Sequence, residues 1–151
     1  MSEILFVCTG NTCRSPMAAA LAAAMFEREG IKLAVGSCGI AAGGGSSASK
    51  NAVLAMEHEK IDLSGHLSRA AAVDLLENAA LVLTMTRVHL SHVKVACPAA
   101  KAFTLGEFAG SLMDIADPFG GNLEEYRTCA AQIKKLLENC VTKFRGGFDE
   151  I

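Results

Sequence analysis

The sequence has no tryptophan, one tyrosine and three prolines, and no excess of either charge. Fourteen basic residues stand against sixteen acidic ones, a net charge of −2. That balance argues against a nucleic-acid surface built on bulk charge. No stretch approaches the roughly 20 apolar residues of a membrane span. There is no G-x-G-x-x-G, no GK[ST] after a glycine-rich loop and no G-x-S-x-G, so nucleotide-binding and serine-hydrolase readings lose their support. None of the six cysteines sits two or three residues from another, which removes the usual zinc spacing. The chain opens on Met1-Ser2-Glu3, and the apolar run Ile4–Val7 is too short for a signal peptide. The expectation is a reducing, cytoplasmic setting, where a disulfide scaffold does not persist.

What remains is a chain of 151 residues, a length that predicts one domain over 1–151 with a single core. Alanine-rich blocks favour helix and close packing. Gly43–Ser47 reads as a surface loop. Strands are expected at Ile4–Val7, Ile31–Val35, Leu81–Leu83 and Ala102–Leu105. Helices are expected at Pro16–Glu29 with Ser15 as N-cap, Lys50–Lys60 after Ser49, Arg69–Asn78 after Ser68, Val88–Val95, and Leu123–Phe144 after Asn122. This alternation predicts an α/β fold with a parallel sheet. In such sheets ligands sit at the carboxyl ends of the strands.

The first turn carries the chemistry. It reads Cys8-Thr9-Gly10-Asn11-Thr12-Cys13-Arg14-Ser15-Pro16. A cysteine leaves a buried strand and enters a helix amino terminus, where the dipole and free N–H groups favour a thiolate nucleophile. The same N–H groups, from Thr9 to Ser15, form a nest for an anion. Arg14 can fold back over that nest and grip two oxygens in a planar fork. Gly10 and Asn11 tolerate the left-handed backbone of a tight cradle. Ser15 can donate a hydrogen bond to the Cys8 thiolate. Nucleophile, cradle and clamp together describe a cysteine-dependent phosphatase working through a phosphocysteine intermediate. The bland alternative is a buried cysteine before an ordinary capped helix. A phosphatase also needs an acid for its leaving group, and Asp117 in Asp117-Pro118-Phe119-Gly120-Gly121 is the candidate. Its bland reading is a turn aspartate before proline.

Those two segments, CTGNTCRSPMA at Cys8–Ala18 and DPFGG at Asp117–Gly121, resemble the low-molecular-weight protein tyrosine phosphatases. Gly36-Ser37-Cys38-Gly39 and Ser64-Gly65-His66-Leu67-Ser68-Arg69 resemble two further segments of that family. The resemblance implies a three-layer α/β/α fold, strand order 2-1-3-4, with the phosphate loop between strand 1 and helix 1. Thr12, Thr86 and Phe119 resemble the bacterial protein arginine phosphatase branch, where a threonine in place of an apolar residue narrows the pocket. By position the resemblance implies Cys8 as nucleophile, Arg14 as clamp and Asp117 as acid and base. It implies a supporting role for Asn11 with His66, and Thr12 and Phe119 as specificity residues. The substrates it implies are phosphorylated proteins bearing phosphoarginine or phosphotyrosine, handled without a metal or cofactor by a monomer. Arsenate reductase shares the fold but needs a relay of nearby cysteines, and Thr84–Lys94 contains none. A silent phospho-residue binder is the remaining alternative. Cys13 is either a small loop residue or the partner that captures oxidised Cys8. Cys38, Cys97, Cys129 and Cys140 read as packing or exposed free thiols, and His58, His89 and His92 as surface residues.

Overall fold

A computed structural model describes residues 3–146. Met1 and Ser2, on which the leader reading rests, lie outside the described residues, as do residues 147–151. Four strands form one sheet: β1 (Glu3–Cys8), β2 (Ala34–Gly39), β3 (Leu81–Thr84) and β4 (Ala102–Thr104). All pairings are parallel, in the order β2-β1-β3-β4, as the resemblance implies. β1 lies inside the sheet, flanked on both edges, and Ile4 to Val7 are fully buried. A continuous apolar run is what a strand covered on both faces requires.

Alternation along β1 divides the core in two. Ile4, Phe6 and Cys8 face one cluster with Met17, Met56, Ile133 and Phe144. Leu5 and Val7 face the other with Leu76, Leu90 and Val93. The first cluster is covered by α1 (Arg14–Glu29), α2 (Lys50–His58), α5 (Leu105–Phe108), α6 (Leu123–Asn139) and α7 (Val141–Arg145). The second is covered by α3 (Val73–Asn78) and α4 (Arg87–Ala96). Helices on both faces of a parallel sheet make three layers. No helix among the described residues is long and apolar enough to cross a membrane.

Several expected boundaries move. The second strand is Ala34–Gly39 rather than Ile31–Val35, because its pairing with β1 runs from Glu3↔Ala34 to Cys8↔Gly39. Its small residues look like a turn in sequence, but the space beside them is already filled. A Cβ on Gly36 would meet the Arg69 and Glu3 side chains. The third helix begins at Val73, not Arg69. Residues 69–71 are instead tied to the loop and to β2: Arg69 N–H donates to Asn11 Oδ1, and Gly39 and Ala71 exchange backbone bonds with Arg69 and Gly39. Tertiary hydrogen bonds override the helix propensity of the alanines. Ser15 is not the N-cap of α1. That position falls to Cys13, without a side-chain bond, and Ser15 lies inside the helix. β4 stops at Thr104, whose hydroxyl caps α5 in a reciprocal capping box with Glu107. The last helix breaks at Cys140, which leaves helical geometry at φ −117° and ψ 12°. Ser49 and Asn122 do cap α2 and α6, accepting from Ala52 and Glu125 N–H.

Candidate active site

The segment from Cys8 to Arg14 turns at the carboxyl end of β1 and feeds α1. Asn11 holds that turn. Its φ of 57° is left-handed, a conformation asparagine tolerates. Its side chain, fully buried, donates to Ser15 Oγ at 2.8 Å and Ser37 Oγ at 2.9 Å and accepts from Arg69 N at 3.0 Å. His66 Nε2–H donates to the Asn11 carbonyl at 2.7 Å. Arg69 Nε donates in turn to the Ser37 carbonyl at 2.9 Å. Backbone bonds from Ile40, Ala41 and Ser49 to Cys8, Thr9 and Thr12 fasten the outer side. A Cβ on Gly39 would sit 2.5 Å from the Thr9 carbonyl, so only glycine lets the loop lie this close to β2.

Cys8 is buried, and its Sγ lies 2.8 Å from Ser15 Oγ. Because Asn11 already donates to Ser15, the serine's own proton has two acceptors to choose from, the sulfur at 2.8 Å and the more distant Cys38 carbonyl at 3.4 Å. Arg14 is 5% exposed. One of its terminal nitrogens donates to the Ile115 carbonyl at 2.9 Å, and the other lies 3.5 Å from Asp117 Oδ2. The guanidinium is thereby aimed, and it faces the loop that carries the aspartate. Asp117 Oδ1 accepts from Phe119 N at 3.0 Å, an Asx turn that shapes this loop.

A cavity of about 240 Å³ opens above Cys8. Thr9, Gly10, Thr12, Cys13 and Arg14 line it from one side, Asp117 and Phe119 from the other. Asn11, Ser15 and His66 are absent from its walls and support the loop by the bonds described above. Phe119 is 76% exposed. Cys13 lies 3.3 Å from Tyr126 Oη and 3.5 Å from Ser49 Oγ. Burial, reinforced by the Cys13 contact, raises the Tyr126 phenol above its ordinary value. A larger hollow of about 400 Å³ lies beyond Asp117, lined by residues including Glu124 and Glu125. It has no arginine and no loop of converging amides, so the anion site is the smaller cavity.

One sequence expectation is corrected by this geometry. His89 is not a surface residue. It is 3% exposed, and its Nε2 lies 2.9 Å from Thr9 Oγ1. Burial, with Arg14 nearby, pushes its ring down to about 4, so it is neutral at physiological pH. Of the two readings of Cys38, Cys97, Cys129 and Cys140, packing is the one the structure bears out: all four are buried free thiols. Burial pushes the Cys38, Cys129 and Cys140 thiols up to about 12, which leaves them inert packing groups. Sequence reasoning missed Ser37, Arg69, Tyr126 and the Ile115 carbonyl. Ser37 and Arg69 lie in the segments that carry the resemblance, but their types alone suggest no task. Among the described residues, no cluster of three or more His, Cys, Asp or Glu side chains could hold a metal.

The family model "low molecular weight phosphotyrosine protein phosphatase" matches residues 3–146. The chain belongs to that family. Within it, this phosphatase is 39% identical over 146 residues to a protein-arginine-phosphatase of Bacillus subtilis, covering 95% of this chain and 97% of the relative. It is 36% identical to the low molecular weight protein-tyrosine-phosphatase PtpB of Staphylococcus epidermidis, covering 90% and 94%. A solved structure of the YwlE arginine phosphatase, a cysteine-to-serine mutant with a phosphorylated active site serine, superposes with a TM-score of 0.91 at 38% identity, covering 95% of each chain.

Proposed function

We propose that this phosphatase hydrolyses phosphoarginine on proteins, with Cys8 as nucleophile. The observation that carries the reading is the arrangement of one cavity: Cys8 at its floor, Arg14 beside it, Asp117 across it and Thr12 in its wall. The phosphoryl group sits in the nest of amides from Thr9 to Ser15, with two oxygens on the Arg14 fork. Cys8 sulfur attacks phosphorus, and the bond from phosphorus to the guanidinium nitrogen breaks. Asp117 donates its proton to the departing nitrogen. The Cys8 phosphoester remains, stabilised by Arg14 and the loop amides. Asp117, now a carboxylate, takes a proton from water, whose oxygen attacks phosphorus. Inorganic phosphate leaves and the Cys8 thiolate returns, held by the Ser15 hydroxyl. The phosphorylated serine of the YwlE mutant supports a phosphoryl group carried on the nucleophile's position.

Thr12 supports the arginine reading. Its branched, hydroxyl-bearing side chain narrows the wall and offers a polar partner, where a larger apolar residue would favour a flat ring. The similarity to PtpB supports a second reading, phosphotyrosine hydrolysis by the same residues. Cys13 has a redox role in this proposal. Its short tether to Cys8 lets it capture an oxidised nucleophile as a reversible disulfide, and the reducing cytoplasm restores it. The chain acts as one phosphatase domain over 1–151, as a monomer.

Turnover of phosphoarginine and phosphotyrosine on one reduced preparation tests the reading. Phosphoarginine is expected to be preferred, with both activities lost in Cys8→Ser. In Thr12→Ile the preference is expected to shift toward phosphotyrosine by roughly tenfold or more, the scale of one altered pocket contact. An unchanged ratio would refute the specificity assignment. No turnover of any phospho-substrate would refute the enzyme assignment.

A further inference from the structure

We propose that Thr9, held by His89, is a second specificity residue: its hydroxyl oxygen accepts a hydrogen bond from the guanidinium of the substrate's leaving group. The inference rests on the phosphoarginine reading and gives the Thr9 side chain and His89 a role beyond the anion nest to which the Thr9 backbone belongs. Thr9 follows the nucleophile directly. Cys8 is 3% exposed, whereas Thr9 is exposed and lines the same cavity. Thr9 is therefore an accessible part of the wall of the cavity that a leaving group would enter.

A free threonine hydroxyl rotates, but this one does not. His89 Nε2 lies 2.9 Å from its oxygen. The ring comes from the first turn of α4, where the Thr86 hydroxyl accepts from the His89 N–H. A hydroxyl has one proton and two lone pairs. If the imidazole donates, one lone pair and the proton remain for the cavity. If it accepts, both lone pairs remain. In either tautomer a lone pair is left for an incoming N–H. A phosphoarginine leaving group presents N–H donors, and a phenol ring presents none. The pair thus discriminates between leaving groups by whether they bring a hydrogen-bond donor.

Holding the ring there has a cost, because His89 Nδ1 is buried with no hydrogen-bond partner among the described residues. A core position without a task would favour an apolar residue. The neutral ring also avoids placing a second cation beside Arg14, which would compete with the guanidinium of the substrate.

The test compares wild type, Thr9→Val, Thr9→Ser, His89→Phe and His89→Gln in the reduced full-length protein. Three quantities are measured: kcat/KM for a phosphoarginine peptide, kcat/KM for an aryl phosphate, and competitive inhibition by inorganic phosphate. Thr9→Val is expected to lower phosphoarginine turnover about tenfold, the scale of a lost charge-assisted hydrogen bond. Because Thr9 also belongs to the anion nest, the deciding quantity is the ratio of the two substrates: the phosphoarginine-to-aryl-phosphate ratio of kcat/KM is expected to fall about tenfold. Thr9→Ser is expected to restore the phosphoarginine value. His89→Phe is expected to reproduce the Thr9→Val pattern, and the double variant to add little to either. His89→Gln keeps a polar anchor and covers the case in which His89→Phe does not fold. An equal fall for both substrates together with weaker phosphate inhibition would overturn the proposal, since it would mean that the loop itself is disturbed. An unchanged substrate ratio in Thr9→Val would overturn it as well. If wild type does not hydrolyse phosphoarginine, the underlying function fails and this assignment with it. If wild type does so and only the Thr9 ratio is unmoved, this assignment alone fails.

Discussion

Asn11 shows how much one residue does in this site. It combines a left-handed backbone with a fully buried side chain that makes three hydrogen bonds. Alanine there would lose all three and strain the backbone. Each such bond contributes about 1 kcal/mol net, and leaving Ser37 and the Arg69 N–H unpaired costs more. Asn11→Ala is therefore expected to lose about 3 kcal/mol in urea unfolding and most of its turnover. Ser15→Ala is the contrasting case. It removes the hydroxyl 2.8 Å from Cys8 Sγ but leaves the backbone of the loop in place. Its expected effect is a fall in kcat of about tenfold, with a smaller change in stability. Equal stability losses in the two variants would contradict this division. The Cys8, Arg14 and Asp117 assignments need only their own motif, because spacing places the arginine over the loop. His89 was illegible: nothing in its neighbours distinguishes a surface histidine from one turned inward against Thr9.

At the scale of elements, the site depends on how closely the loop packs on β2. Gly39 ends that strand, and its missing side chain makes room for the Thr9 carbonyl and Asn11 N–H. Gly39→Ala would force backbone against Cβ at 2.5 Å, a separation the structure cannot absorb by moving a flexible side chain. The expected result is loss of most activity on every phospho-substrate alike, with weaker phosphate inhibition. Steady-state kinetics with inorganic phosphate as inhibitor checks it. A variant with normal phosphate inhibition would show that the contact is not needed. The elements themselves were legible where side chains announce them. β1 and β3 contain the apolar runs Ile4–Cys8 and Leu81–Leu83, and the Asn122 and Ser49 caps stand where their chemistry predicts. β2 and the start of α3 were not. Gly36 and Gly39 look like turn residues until the close neighbours are known, and Arg69–Ala72 look helical until their tertiary partners are known.

At the scale of the whole molecule, two core layers meet on β1, and the site lies where that strand leaves them. His89 links the site to the layer built on α4. Its ring titrates at about 4 in the folded state against an ordinary 6.5. Burial is the main cause, Arg14 adds to it, and Asp117 and Asp114 oppose it. Between these values the unfolded chain binds a proton that the folded chain does not. Stability is therefore complete above about pH 6.5 and declines as pH falls toward 4. Replacing the ring by His89→Gln should flatten that part of the curve. Urea midpoints for both proteins across pH 4 to 7 measure the difference, and parallel curves would rule out a titrating His89.

The sequence alone determined the fold class and the family, and it singled out Cys8, Arg14 and Asp117 as the candidate nucleophile, clamp and acid. Those follow from local rules: apolar periodicity, capping chemistry, and a loop whose function depends on residue types at fixed spacing. Tertiary structure decided which groups surround that loop. Ser37, Arg69 and His89 come from distant segments, and only in the folded sheet do the Ser37 hydroxyl and the Arg69 backbone N–H reach Asn11 and the His89 ring reach Thr9. A residue's type records what bonds it can make. Which bonds it does make depends on packing across elements, and that information lies in no short stretch of the chain.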